Sequence, residues 1–183
     1  MRDSFLVFGA PAIGEEEIEA VAEVLRSKWI GQGPRVAEFV RQFASYRKAP
    51  YGVAVNSCTA ALQLSLVASN VQPGDEVITS ALTFCATANA IIHVGAKPVL
   101  VDVNPDTFNM EAGLLSSAIT PRTRAIIPVH FAGRMCDMGA IQALASQHQI
   151  RIIEDCAHAI ESYDVQGNAG TLGDFGCFSF YVT

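Results

Sequence analysis

Apolar residues recur along this chain in two rhythms. In "GEEEIEAVAEVLRS" (14–27) they fall at Ile18, Val21, Ala22, Val24 and Leu25, a helical spacing behind an acidic first turn. "WIGQGPRV" breaks that rhythm with two glycines and a proline, and "VAEFVRQFASYR" (36–47) predicts a second amphipathic helix. Short apolar runs then alternate with helical stretches. The predicted strands are "YGVAV" (51–55), "EVITS" (76–80), "VLVDV" (99–103), "RAIIPVHF" (124–131), "IRIIED" (150–155) and "FGCFSFYVT" (175–183). Between them lie predicted helices at "CTAALQLSLVAS" (58–69), "TFCATANAIIHV" (83–94), "EAGLLSSAI" (111–119) and "MGAIQALASQHQ" (138–149). Apolar strands bounded by turns and separated by helices imply an α/β fold: a mostly parallel sheet covered on both faces, in three layers. No repeat, low-complexity tract or flexible linker interrupts the pattern.

The composition narrows the function classes. With 183 residues the chain is long enough for one domain with a substantial core. Half of the residues are apolar, yet no run approaches the length of a membrane span, and "MRDSFLVFGAP" lacks the apolar stretch of a secretory signal. A net charge of −6 argues against broad nucleic-acid binding. The five cysteines (Cys58, Cys85, Cys136, Cys156, Cys177) are odd in number, widely spaced and without a C-x-x-C, as expected of small buried residues in a reducing cytoplasm.

In parallel sheets ligands bind beyond the carboxyl ends of the strands. The segments there are "NSCT" (56–59), "SALTF" (80–84), "HFAG" (130–133), "EDCAH" (154–158) and "SFYVT" (179–183). "AVNSCTAAL" runs from a strand into a helix. The amides of Cys58 and Thr59 with the hydroxyls of Ser57 and Thr59 read either as a phosphate cradle or as a plain helix cap. Neither a dinucleotide glycine fingerprint nor a P-loop lysine is present. "IIEDCAHA" sets Asp155 after an apolar strand with His158 three residues on. The acid reads either as a partner for a cationic ring nitrogen or as the cap of the next turn. Phe84 reads as a platform for a flat cofactor or as core. "EDCAH" has mixed ligands without a recognised metal spacing, and "DVNPDTFNMEAG" fails as a calcium loop because Gly113 stands where a bidentate Glu is required, so no metal is expected.

Taken in order, the stretches "WIGQGPRVAEF", "VAVNSCTAALQLSL", "GDEVITSALTFCATANAI", "GAKPVLVDV", "PVHFAGRMCDM", "IIEDCAHA" and "GTLGDFGCFSFY" resemble the DegT-type sugar aminotransferases, a family of fold-type I pyridoxal 5′-phosphate (PLP) enzymes. The pattern departs from the family at Gly139, where relatives often carry Asp, and in the looser "ESYDVQGNAG". The resemblance implies an N-terminal arm and helix over 1–35 and a PLP-binding large domain over 36–183, incomplete at its C-terminal end, with a small domain expected to follow. It implies that Cys58 and Thr59 hold the cofactor phosphate with Ser57 at the edge, and that Ser179 adds a hydroxyl. Phe84 would stack on the pyridine, Asp155 would bind the ring nitrogen and keep it protonated, and His158 would sit near the ring hydroxyl. The family's Schiff-base lysine would follow Thr183 within a residue or two. Lys28, Lys48 and Lys97, expected on the arm helix, after the second helix and in a tight turn, do not match it and read as solvated.

The activity so implied is transfer of an amine from an amino acid, glutamate foremost, to a nucleotide-linked keto sugar, by a cytoplasmic homodimer with neither nucleic-acid nor membrane partners. Trp29, Ile30 and Gly31 read as arm packing or as lining of the sugar pocket. Two alternatives stand beside it: a PLP-dependent sugar dehydratase with His in place of the lysine, and a regulatory or sensing homologue without catalysis.

Overall fold

A computed structural model describes residues 11–181. Five parallel strands form the central sheet in the order β2-β1-β3-β4-β7. They are β1 (Glu76–Ser80), β2 (Lys97–Val101), β3 (Thr123–Ile127), β4 (Arg151–Cys156) and β7 (Phe175–Phe178), with a two-stranded ribbon of β5 (Tyr163–Asp164) and β6 (Gly167–Asn168) inserted after β4. The helices are α1 (Glu15–Ser27), α2 (Pro34–Arg47), α3 (Cys58–Ala68), α4 (Cys85–His93), α5 (Ala112–Ala118) and α6 (Met138–His148).

Strand pleating sorts the core into two layers, because successive side chains point to opposite faces. Val77, Ala125, Ile127 and Ile153 pack with Leu62 and Leu66 of α3 and Ala90 and Ile91 of α4. Their strand neighbours Ile78, Ile126 and Ile152 pack on the other face with Leu115 of α5 and Met138 and Ile141 of α6. All five residues of β1 are buried, as befits a strand flanked by β2 and β3 and covered on both faces. Chain order reverses around β1: β2 lies on one side, and β3, β4 and β7 extend from the other. Such a switch point opens a crevice at the carboxyl ends of the strands.

Most elements match the pattern-based expectation, and the departures have physical causes. Tyr51–Val55 is not a strand. No described strand lies beside it to form a ladder, and Tyr51 and Val53 are 88% and 85% exposed. β3 stops at Ile127 because Pro128 has no N–H to donate; pairing resumes only at the Val129–Asp155 bridge. Lys97 opens β2 and does not sit in a turn; its ammonium reaches Glu76. The strand predicted over 175–183 ends at Phe178, Ser179–Tyr181 are irregular, and 182–183 lie outside the described residues. The cysteines are all free, and Cys85 is exposed where burial was expected. Between α1 and α2, the Trp29 ring turns back on its own loop, donating from Nε1 to the Gln32 carbonyl at 2.7 Å, and Trp29 and Ile30 are exposed.

Candidate functional site

Asp155 lies in β4 and His158 and Ser179 follow β4 and β7, while Ser57, Cys58 and Thr59 stand at the start of α3 and Phe84 at the start of α4. Ser57 is the N-cap of α3, and its Oγ accepts from the Ala60 amide at 3.1 Å. The capping reading of Ser57 is therefore realised; the amides of Cys58 and Thr59 open the helix behind it. Cys58 is half-buried, and its thiol is pushed far up by burial and then by the charge of Asp155. It is held as the thiol and is no nucleophile. Phe84 caps α4 from the outside and is 76% exposed, so the reading of Phe84 as ordinary core does not hold. Ser179 follows β7, and its Oγ accepts from the Tyr181 amide at 3.3 Å.

Asp155 is the fifth residue of β4 and is 4% exposed. It shares a face with Ile153, the side covered by α3 and α4. Its Oδ2 accepts from Thr87 Oγ1 at 2.8 Å and its Oδ1 from the Ala157 amide at 3.1 Å. Thr87 Oγ1 in turn lies 2.8 Å from Thr83 Oγ1. Among the described residues no cation pairs with this carboxyl. Burial pushes its pKa above the usual carboxylate range; the Thr87 and Ala157 hydrogen bonds and the nearby His158 and His130 pull the other way. A carboxylate offers about four lone-pair sites, and here two are used. His158 is exposed; its Nδ1 accepts from the Ala132 amide at 3.4 Å, and its ring meets Phe131 edge-on.

One residue of this region escaped the pattern reading. Glu154, next to Asp155 but on the opposite face, is fully buried and spends all its acceptor sites. Its Oε2 meets His130 Nε2 and the Gly170 amide, both at 2.9 Å, and its Oε1 accepts from the Leu172 and Gly173 amides at 2.8 and 2.7 Å. The Cys136 amide donates to His130 Nδ1 at 3.1 Å, so Nε2 carries the proton toward Glu154. The glycines of "GTLGDFG" make this possible. A Cβ on Gly170 would lie 2.3 Å from Phe178 Cζ, and one on Gly176 would lie 2.3 Å from the Gly170 carbonyl oxygen. Three glycines in seven residues after an acidic pair were the available signal. His130, Glu154 and Cys156 are close enough to share a metal ion. Their donors are spent, however, and burial raises the Cys156 thiol well above its ordinary value.

Two grooves, of about 270 and 730 Å³, open elsewhere, lined by residues such as Thr120, Arg124 and His148 and by Gln142, Arg151 and Asp174. None of the candidate residues borders either, and the chemistry at the strand carboxyl ends is the better guide to a site.

Residues 11–183 match the DegT/DnrJ/EryC1/StrS aminotransferase family, and the chain belongs to that family. It is 50% identical over 182 residues, all of this chain and 47% of the relative, to the spore coat polysaccharide biosynthesis protein SpsC of Bacillus subtilis. Among solved structures it resembles Spr1654 of Streptococcus pneumoniae, assigned as a sugar aminotransferase, with a TM-score of 0.93 and 40% identity over 97% of this chain and 49% of that one. That protein is solved in PLP, PMP and apo forms. The aminotransferase TlmJ of Streptoalloteichus hindustanus gives 0.90 at 39% identity, covering 95% of this chain and 48% of that one. The sheet is that of the large domain of fold-type I PLP enzymes, and PLP is the cofactor of the family. The chain spans about half the length of the curated relatives it matches.

Proposed function

We propose that this chain provides the cofactor-binding half of a PLP-dependent aminotransferase that moves an amine from an amino acid, glutamate foremost, to a nucleotide-linked keto sugar. The observation that carries this reading is Asp155: a buried carboxylate with no cation beside it among the described residues and with acceptor sites to spare. Leaving a carboxylate charged in a dry site costs free energy unless a cation arrives to pair with it. A protonated pyridine nitrogen has that charge and a single N–H to donate, so the residues fit the cofactor.

When bound, the cofactor supplies an electron sink for the negative charge that develops at the amino carbon. Asp155 keeps the ring nitrogen protonated by pairing with it. The amides of Cys58 and Thr59 at the positive end of α3 bind the phosphate, with the Thr59 and Ser179 hydroxyls beside them. Ser57 orders that turn by capping it. Phe84, exposed at the start of α4, would pack on the flat ring, and His158 would stand near the ring hydroxyl. The protein assembles as a homodimer in the cytoplasm in this reading. The support for the homodimer is the apolar stripe of Ile18, Val21 and Leu25, exposed along α1.

The test is to supply the intact protein with PLP, glutamate and a nucleotide-linked keto sugar and to follow release of the 2-oxo acid. Turnover that needs all three supports the reading; a protein that takes up no PLP refutes it.

A further inference from the structure

We propose that Thr83 and Thr87 form a one-way hydroxyl relay that positions Asp155 for a cationic ring nitrogen and supports its charge without neutralising it. The proposal rests on the cofactor reading above for its purpose, but its geometry stands apart from it. Thr87 is 1% exposed and has one hydroxyl proton. That proton is committed to Asp155 Oδ2, an acceptor 2.8 Å away. The 2.8 Å contact between Thr87 Oγ1 and Thr83 Oγ1 therefore has one possible direction: Thr83 donates and Thr87 accepts. Two hydroxyl dipoles in series point their positive ends at the acid, each polarising the next. A threonine inside a helix commonly turns its hydroxyl back to a carbonyl one turn earlier; Thr87 turns its hydroxyl to β4.

The relay solves a specific problem. A lysine or arginine at this place would hold Asp155 ionised but would consume the charge that the ring nitrogen needs. Hydroxyls stabilise the anion and add no net charge. They also tie the side chain of Asp155 to the start of α4, one residue from Phe84, so that the acid and the aromatic face are held in one register. Thr83 and Thr87 are positioning residues that act through Asp155. The other groups that face the acid are His158 after β4, His130 after β3, and the thiols of Cys58 on α3, Cys156 on β4 and Cys177 on β7. The thiols all stay protonated through neutral pH because burial raises them.

The test is a carbon-13 NMR titration of the Asp155 carboxyl in the cofactor-free intact protein, assigned by its loss in Asp155→Asn. In Thr87→Val, which keeps the shape and removes the donor, Asp155 becomes a weaker acid on the order of tenfold. Thr87→Ser restores the wild-type midpoint, and Thr83→Val shifts it the same way by less. An unmoved midpoint in Thr87→Val, or a Thr87→Ser as displaced as the valine variant, overturns the relay. Should Thr87→Val fail to fold, Thr83→Val decides alone: an upward shift supports the relay and no shift overturns it. The titration uses no cofactor. A protein that never binds PLP would sink the functional reading and leave these shifts in place.

Discussion

Two carboxylates are buried at opposite ends of the same sheet, in opposite surroundings. Glu76 opens β1 and is 2% exposed, yet Arg122 reaches its Oε1 at 2.8 Å, Lys97 approaches the same oxygen at 3.4 Å, and Thr120 donates to Oε2 at 2.6 Å. Those hydrogen bonds, led by Thr120 and Arg122, hold its pKa down to about 2. Asp155, near the end of β4, is 4% exposed and has one hydroxyl, one amide and no cation among the described residues; its pKa is pushed up. At the amino edge the sheet satisfies its acid from within. At the carboxyl edge it leaves one incomplete. A fold that can pair a buried acid this thoroughly, and does not do so at one place, marks that place for a partner from outside.

The comparison breaks most visibly if Asp155 can be neutralised without consequence. In the intact protein, Asp155→Asn is expected to lower turnover on the order of 10²-fold or more and to weaken PLP binding, measured by steady-state kinetics and cofactor titration. Glu154→Gln is expected to destabilise the fold by about 3 kcal/mol, read from denaturant unfolding, because an amide placed among four donors leaves some unpaired.

The pH dependence of stability sharpens the contrast, since the two acids act with opposite sign. The folded pKa of Glu76 lies below its unfolded value, so its contribution is present above the usual carboxylate range and is lost as pH falls toward about 2. Glu76→Gln should flatten that acid limb. Asp155 is the reverse: its folded pKa is raised, so the protein without cofactor is favoured at low pH and loses that advantage as pH rises through the folded value. Asp155→Asn should remove that second slope, and bound PLP should remove it in the wild type. The smallest effect is at the cap: Ser57→Ala should cost about 1 kcal/mol of stability by thermal or denaturant melting.

The alternation of short apolar runs with helices was enough to locate the layers, because burial on both faces leaves a strand such as "EVITS" no polar position facing solvent. Tyr51–Val55 shows the limit of that argument: apolar and β-branched residues are only half of a strand, and the other half is a neighbour to pair with. Asp155 was legible from its place after an apolar run. That no cation pairs with it among the described residues was not legible, since this depends on side chains brought in from elements far apart in the chain. Glu154 was hidden for a related reason. Its partners are the backbone amides of Gly170, Leu172 and Gly173 and a histidine 24 residues away, and neither leaves a mark on the sequence beyond the glycines that allow the approach.

The central claim is that Asp155, which has no cation partner among the described residues, pairs with a protonated pyridine. Nitrogen-15 NMR of PLP labelled at the ring nitrogen and bound to the intact protein tests it directly. The account predicts a protonated nitrogen in the wild type through neutral and mildly alkaline pH, and its loss in Asp155→Asn. An unprotonated nitrogen in the wild type at neutral pH, or a protonated one that survives the substitution unchanged, would contradict it.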